Sequence, residues 1–253
     1  MAEQNHKNWK TTTLDKNLVI ECLPPPSPPP PAILMEIETL WEKGKKNLPT
    51  LYNGYIFCVD HLSAHHITGH WDQFSHLYAQ MKNPKLQKGL HLQSLAVIGL
   101  ILTPEGIVLA KRSQHAFYKP NSWQSPPAGS VECRESSPPL TRSISLSENL
   151  LAEAEEELGL PQDTLVVGPA LVAVTHPNAS VIDIGIILTT SLSFSQIFHC
   201  WKKCQNTEYS ELALVEFERL ASSTWQTHFP ELIPTTDILI KTWQKTTHHF
   251  LNQ

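Results

Sequence analysis

Five glutamates lie between residues 147 and 160, and they are the residues of this chain best suited to chemistry. Glu153, Glu156 and Glu157 are spaced i, i+3 and i+4, so in a helix their carboxylates share one face. No lysine or arginine interrupts this segment, and like charges at these spacings destabilise a helix by about 0.2–0.5 kcal/mol per pair. The cluster indicates either a solvated acidic face or a set of oxygen ligands for a hard cation, Mg2+ or Mn2+.

The residues around the glutamates predict a helix. Ser147 is its predicted N-cap, and Gly159 followed by Pro161 ends it. The predicted apolar stripe of this helix consists of Leu150, Leu151, Ala154 and Leu158. Four of the glutamates lie near the helix C-terminus, where the helix dipole disfavours each anion by about 0.3–1 kcal/mol. A cation bound by several of these carboxylates would remove that repulsion.

The segment before the helix predicts two strands and a glycine-containing loop. An apolar run over 95–102, a turn over 103–106 and a strand over 107–112 lead to Trp123 and then to the loop 126–132. This order would bring the end of the second strand and the loop close to the acidic helix.

The spacing of the loop and the helix resembles the box motif of the Nudix hydrolases. Gly129, five further residues, Glu135 and a segment that ends Glu153-x-x-Glu156-Glu157-x-Gly159-Leu160 match the family pattern Gly-x5-Glu-x7-Arg-Glu-hydrophobic-x-Glu-Glu-x-Gly-hydrophobic. The order of strand, hairpin, strand, loop and acidic helix is also typical of that family.

Two features depart from the family pattern. Glu135 and Glu153 lie 18 positions apart rather than nine, so about nine extra residues lie between them. Ala152 stands where the family has an arginine that pairs with a glutamate, and Arg134 or Arg142 is a candidate to replace it.

The resemblance implies an α+β protein, an α/β/α sandwich in which a mixed sheet lies between helices. We expect residues 89–253 to form the Nudix domain and residues 1–88 a small N-terminal α+β domain with a polyproline connector. The layout is most similar to the Nudix proteins that cleave UDP-glucose and UDP-galactose. The features that carry this similarity are the helix around Trp41, the strand 51–57, the insertion in the box and the segment 207–211.

The implied chemistry is Mg2+-dependent hydrolysis of the diphosphate bond of a nucleoside diphosphate-linked substrate. Glu153 and Glu157 would hold Mg2+ or Mn2+, together with the backbone carbonyl of Ala128 or Gly129. Glu156 would add a ligand directly or through water, and the metal would lower the pKa of a bound water. Either Glu153 or Glu211 would take the proton.

Four residues are candidates to bind the substrate. Arg112 ends a strand that enters the glycine loop, and its guanidinium fork suits phosphate oxygens; an ion pair is the alternative. Lys111 is a weaker candidate because neighbouring strand residues face opposite ways. Trp123 and Tyr118 are candidates to stack on a base, with a core or rim position as the alternative for each.

The substrate class remains open between a nucleotide sugar of the UDP-glucose type and ADP-ribose. A nucleotide-binding regulatory protein without turnover is the rival hypothesis, because the box arginine is missing. A third possibility is a scaffold that uses the polyproline stretch Pro24–Pro31, although a stiff connector explains that stretch more simply.

The composition excludes several other classes of protein. The formal net charge of −5 argues against nonspecific binding to nucleic acid, and no run of 18 apolar residues predicts a membrane span. The N-terminus lacks the basic and apolar regions of a signal peptide, so the cytoplasm is the expected compartment. His61, His65, His66 and His70 lack the spacing of a helical pair of metal ligands.

The same patterns predict elements in the rest of the chain. Those before residue 90 are a strand at 17–22, a helix from Ile33, strands at 52–59 and 64–68, and a helix that carries Trp71, Phe74, Leu77, Tyr78 and Met81. Those after the acidic helix are strands at 164–175, 181–190 and 212–217, a helix capped by Ser193 and a last helix after Thr236.

Overall fold

The computed structural model describes residues 8–48, 51–116, 118–134, 144–177, 179–222 and 224–251 of the chain. Glu135 and Arg142, which the sequence analysis named, lie outside these residues. The described helices are α1 (Pro31–Asn47), α2 (Phe74–Lys82), α3 (Gln87–Leu90), α4 (Leu146–Leu158), α5 (Phe194–Lys203), α6 (Phe217–Leu220) and α7 (Pro234–Leu251).

The described strands number twelve and belong to one sheet. They are β1 (Lys10–Thr13), β2 (Val19–Cys22), β3 (Tyr55–Leu62), β4 (His66–Gln73), β5 (Ser94–Leu102), β6 (Gly106–Arg112), β7 (Trp123–Gln124), β8 (Ala128–Ser130), β9 (Glu132–Cys133), β10 (Val166–Thr175), β11 (Val181–Thr189) and β12 (Tyr209–Glu216).

The sheet is mixed and branches around β5. Its main path has the order β1-β10-β11-β5-β3-β4-β2, while β6, β7 and β12 form a side branch and β8 pairs with β5. The β11–β5 and β2–β4 pairs are parallel, and the remaining pairs are antiparallel. The predicted α+β class is confirmed.

Helices cover both faces of the sheet, as the sandwich architecture requires. Alternate residues of β11, from Ile182 to Leu188, face a core that also contains Leu150 of α4 and Ile197 of α5. Ile187 faces the opposite way, into a second core that contains Leu239 of α7. The alternation follows from the two-residue period of a strand, and it places the acidic helix α4 against one face of the sheet.

Hydrogen bonds join strands from both sides of the predicted boundary at residue 88. Cys58 in β3 pairs with Ser94 in β5, and β1 pairs with β10 along its whole length. The division of the chain at residue 88 therefore stays a prediction. The proline-rich segment connects β2 to α1, which begins at Pro31, a position where proline costs no helical hydrogen bond.

Two predicted element boundaries are wrong. Trp71 belongs to strand β4, where it pairs with Phe57, and helix α2 begins only at Phe74. Ser145 rather than Ser147 caps α4, because its hydroxyl accepts a hydrogen bond from the backbone N–H of Glu148. The predicted end of α4 is confirmed, with Gly159 in the left-handed conformation at φ 65°.

Candidate active site

The glycine loop touches the acidic helix through backbone and carboxylate. A Cβ atom added at Gly129 would lie 2.3 Å from the carboxyl carbon of Glu153, so only glycine leaves room for that carboxylate. Next to it, the backbone N–H of Ala128 donates a hydrogen bond of 3.0 Å to Oε2 of Glu157. The loop and the helix thus place two carboxylates beside the backbone of β8, as the sequence predicts.

Glu157 is buried and fixed in place. Its side chain is enclosed by the protein, and Tyr209 donates a hydrogen bond of 2.8 Å to the same Oε2 atom that Ala128 contacts. Burial raises the pKa of Glu157 well above its ordinary value, and the charge of Glu153 raises it further. The two hydrogen bonds oppose this rise because they favour the ionised form.

Glu153 is held in a carboxylate-rich environment. Burial raises its pKa to about 7, and the charges of Glu156 and Glu132 add to the rise, whereas Arg134 opposes it. Burial is also the main reason that the pKa of Glu132 is raised. A cation that bound beside Glu153 would stabilise the ionised form of its carboxyl group.

Arg134 occupies the position predicted for a replacement of the box arginine. Its guanidinium lies 3.6 Å from Oε1 of Glu153 and also forms a hydrogen-bonded ion pair with Glu156. The side chains of Arg134 and Glu156 are both about half exposed. Arg134 thus supplies positive charge to two of the glutamates from the loop side of the site, and its role as a replacement for the box arginine stays a prediction.

The acidic helix offers oxygen donors of the right chemistry, but in this structure they are paired within the protein. Among the described residues, no group of three or more His, Cys, Asp or Glu side chains has the geometry to hold a metal ion, and this includes the histidines of β3 and β4. The carboxylates of Glu153, Glu156 and Glu157 are the donor type that Mg2+ and Mn2+ prefer. Because the exposed Arg134 side chain supplies the positive charge here, its release would leave these oxygens to a cation.

Arg112 is engaged inside the protein rather than free for phosphate. Its Nε atom donates to the backbone oxygen of Tyr118, Nη1 donates to Oε1 of Gln124, and Nη2 pairs with Glu208 at 2.7 Å. The alternative reading, an ion pair, is thus what the structure shows. Lys111 lies with its ammonium 6.0 Å from the centre of the Trp123 ring.

Two of the predicted site residues lie elsewhere. Trp123 is buried in the core and packs edge-on against Phe229 at 5.0 Å, so its ring is not available to stack on a base. Glu211 is exposed on β12 opposite Lys111, and no described contact links it to the glutamates of α4. Tyr118 does line a cavity beside the glycine loop, together with Ala128 and Gly129.

The sequence analysis missed three residues that the fold brings to this site. Gln124 donates to the hydroxyl oxygen of Tyr209, which in turn donates to Glu157, so a hydrogen-bonded path runs from Arg112 to the acidic helix. After burial and the nearer glutamates, Glu208 also raises the pKa of Glu153. A register shift between Tyr209 and Glu211 places Tyr209, not Glu211, at the site. The sequence gives no signal for that shift.

Comparison with known proteins gives weak similarities to solved structures. No family model matches the sequence, and no curated protein matches it. A MutT protein from Methanosarcina mazei is 18% identical, with 61% of this chain and 95% of that chain covered and a TM-score of 0.42. A bifunctional NMN adenylyltransferase/ADP ribose pyrophosphatase from Francisella tularensis, complexed with AMP and a Mn ion, is 12% identical over 66% of this chain and 45% of that chain, with a TM-score of 0.44.

A third similar structure is the Ap4A hydrolase of C. elegans, which is 14% identical over 62% of this chain and 98% of that chain, with a TM-score of 0.41. Because these TM-scores and identities are low, the residues of the site carry the inference about function.

Across the residues that the structure describes, no helix has both the length and the apolar character needed to cross a membrane.

Proposed function

We propose that this protein is a Nudix-type pyrophosphohydrolase that cleaves the diphosphate bond of a nucleoside diphosphate-linked substrate in the presence of Mg2+ or Mn2+. A nucleotide sugar is the first candidate, with UDP-glucose or UDP-galactose giving UMP and a sugar 1-phosphate, and ADP-ribose is the second. The observation that supports this proposal is the pair of carboxylates, buried Glu157 and partly buried Glu153, packed against the backbone of the glycine loop.

The residues of the site have distinct roles in this proposal. Glu153, Glu156 and a backbone carbonyl at Ala128 or Gly129 would hold the divalent ion, with Glu157 behind them. A bound divalent ion supplies charge neutralisation at the diphosphate and activation of water. Glu153 is also the candidate to accept the proton from the attacking water, since Glu211 is exposed on β12 opposite Lys111. Tyr209 and Ala128 fix the orientation of Glu157 through their hydrogen bonds.

Arg134 would change partners when substrate and metal bind. In the structure its guanidinium neutralises Glu153 and Glu156, a task that the cation would take over. The released guanidinium is half exposed, and its fork geometry suits phosphate oxygens. The box arginine that this chain lacks would then be replaced by a residue that also contacts the substrate.

A panel of nucleotide sugars and ADP-ribose tests the proposal. Purified protein is incubated with each compound and Mg2+, and the release of UMP or AMP is measured for the wild type and for Glu157→Gln. We expect turnover to fall by roughly 10- to 100-fold or more in Glu157→Gln. Glu155→Gln is the matched control, because Glu155 is exposed on the same helix and bonds only to the exposed Gln162. Unchanged turnover in Glu157→Gln would refute the assignment of the site.

A nucleotide-binding protein without turnover is the second candidate. The observation in its favour is that Arg134 already neutralises the carboxylates that a metal ion would need. This candidate requires that the same compounds bind with micromolar or better affinity while no Mg2+-dependent or Mn2+-dependent release of nucleotide occurs. Calorimetric titration alongside the panel separates it from the enzyme.

A further inference from the structure

A cavity of about 170 Å³ lies next to the glycine loop and outside the acidic cluster. Ala128 and Gly129 line it, and these are the residues whose backbone contacts Glu157 and Glu153. Its volume is below the range of roughly 300–1,000 Å³ that is usual for a whole drug-sized ligand. The cavity therefore has room for one ring of a larger ligand and not for the whole ligand.

The lining of this cavity is partly apolar and partly polar. Most of the lining is apolar, with Phe74 and Met81 of the α2 helix on one side and Ile98 and Ile233 on others. A polar edge is formed by Tyr118, His176 and Asp183. Arg112 and Gln124 also line the cavity, and their polar side-chain atoms bond to Tyr118, Glu208, Tyr209 and each other. A flat ring with apolar faces and a polar edge would match both characters.

Hydrogen bonds connect the polar edge into a chain. Oδ2 of Asp183 lies 2.5 Å from Nε2 of His176, and Nδ1 of His176 lies 3.0 Å from the hydroxyl of Tyr118. Thr235 donates a hydrogen bond of 2.8 Å to the same Asp183 oxygen. The Trp9 ring packs on the imidazole with centroids 4.4 Å apart, so the position of His176 is set from several sides.

The chemistry of the partners sets the direction of these hydrogen bonds. A neutral imidazole has one donor and one acceptor nitrogen, and an ionised carboxylate can only accept. In that form Asp183 holds the hydrogen of His176 on Nε2 and leaves Nδ1 as an acceptor. Tyr118 then donates its hydroxyl hydrogen to Nδ1. Burial, which raises the pKa of Tyr118 to about 12, keeps that hydroxyl protonated. With its hydrogen committed, the Tyr118 oxygen offers only acceptor capacity to a ligand.

We propose that this cavity binds the base of the substrate and that the Tyr118 oxygen accepts a hydrogen bond from a ring N–H, which selects uracil over cytosine. The inference rests on the proposed function for the class of substrate. Uracil carries a hydrogen on N3, whereas cytosine has a lone pair on N3 that would face the lone pairs of Tyr118. The small volume disfavours the two fused rings of a purine. His176, Asp183 and Thr235 act as positioning residues for Tyr118.

Binding of UMP and CMP in the presence of Mg2+, measured by isothermal titration calorimetry, tests the proposal without requiring turnover. We expect the wild type to bind UMP roughly 10- to 100-fold more tightly than CMP, because an unsatisfied buried polar group is costly. In Tyr118→Phe this ratio should fall to about one. Tyr52→Phe is the matched control, since Tyr52 is 79% exposed and does not line the cavity, and it should keep the wild-type ratio.

A second variant tests whether the direction of the hydrogen bond between Tyr118 and His176 sets the base preference or whether His176 acts only by packing. In His176→Phe the ring packing on Trp9 is kept, but Tyr118 loses its acceptor and its hydroxyl hydrogen becomes available to the ligand. The preference should then shift toward CMP, whose N3 can accept that hydrogen. Loss of packing alone would weaken UMP and CMP equally. Thermal melting curves establish that both variants are folded before the titrations.

The outcomes distinguish this inference from the proposed function. Equal affinities of the wild type for UMP and CMP, tighter binding of AMP, or a uracil preference that survives Tyr118→Phe would overturn the inference, even if nucleotide sugars are hydrolysed. A uracil preference that disappears in Tyr118→Phe supports it, even if no hydrolysis is found. If neither UMP nor CMP binds, the inference fails, and the hydrolysis panel decides the proposed function separately.

Discussion

Two partly buried carboxylates of this protein, Glu153 and Asp183, differ in how fully their charge is compensated. At the acidic helix, Glu153 is surrounded by Glu132, Glu156 and Glu157, with Arg134 as the compensating cation. Beside the cavity, Asp183 accepts hydrogen bonds from both His176 and Thr235. The first site keeps an excess of negative charge and so favours binding of a cation, whereas the second is satisfied within the protein and suits rigid recognition.

Loss of a charge should affect the stability of the protein differently at the two sites. Removing the charge of Glu153 relieves its repulsion by the neighbouring glutamates and the cost of desolvating it. Removing the charge of Asp183 leaves the donors His176 and Thr235 without an acceptor. Substitutions at the two sites should therefore change the free energy of unfolding in opposite directions.

The largest effect is expected on activity in Glu153→Gln. Glutamine is similar in shape but cannot accept the proton or supply a charged ligand, so kcat should fall by about 10²–10⁴-fold. The measurement is the steady-state rate with the best substrate of the panel and saturating Mg2+. Glu155→Gln should stay within a factor of two or so of the wild type. A Glu153→Gln enzyme as active as the control would remove Glu153 from the mechanism.

The next effect is the pH dependence of stability in protein freed of metal by chelation. Because the pKa of Glu153 is raised from 4.5 to about 7, the folded state holds its proton more tightly than the unfolded state. Stability should thus be lost as the pH rises from 4.5 to 7, by on the order of 3 kcal/mol from this group. Glu153→Gln lacks this contribution, so its urea-unfolding free energy should exceed that of the wild type at pH 7.5 and approach it at pH 4.5.

At Asp183 the change in the free energy of unfolding should have the opposite sign. Asp183→Ala leaves His176 and Thr235 without their acceptor, and we expect a loss of about 1–3 kcal/mol in the free energy of unfolding. Asp163→Ala, at an exposed position, is the control and should be nearly neutral. If Asp183→Ala is as stable as the control, the network does not hold the cavity edge in place.

The smallest effect concerns binding of Mg2+ at different pH values. A metal ion needs ionised carboxylates, so protons compete with it below the pKa of about 7 at Glu153. Apparent affinity should rise by about tenfold between pH 6 and pH 8, measured by calorimetric titration without substrate. An affinity that is independent of pH over this range would place the cation away from Glu153.

The geometry around the site that the sequence predicted correctly is local. The i, i+3 and i+4 spacing of Glu153, Glu156 and Glu157 and the stop at Gly159 depend on neighbours within one or two turns of helix. The approach of Gly129 to the helix followed from a motif that joins two adjacent elements. The predictions failed where a role depends on a distant strand, as at Trp123, which Phe229 covers, and at Glu211, which a register shift displaces from the site.

The α+β class, the acidic helix and the loop that faces it are predictable from the sequence, because the periodicities of helices and strands are local patterns of apolar and polar residues. Only the tertiary structure decided which side chains compensate the buried carboxylates. Arg134, Tyr209 and His176 reach their partners across 22, 52 and 7 positions of the chain. Burial and hydrogen-bond direction there depend on strand register and on packing between layers, which no local pattern encodes.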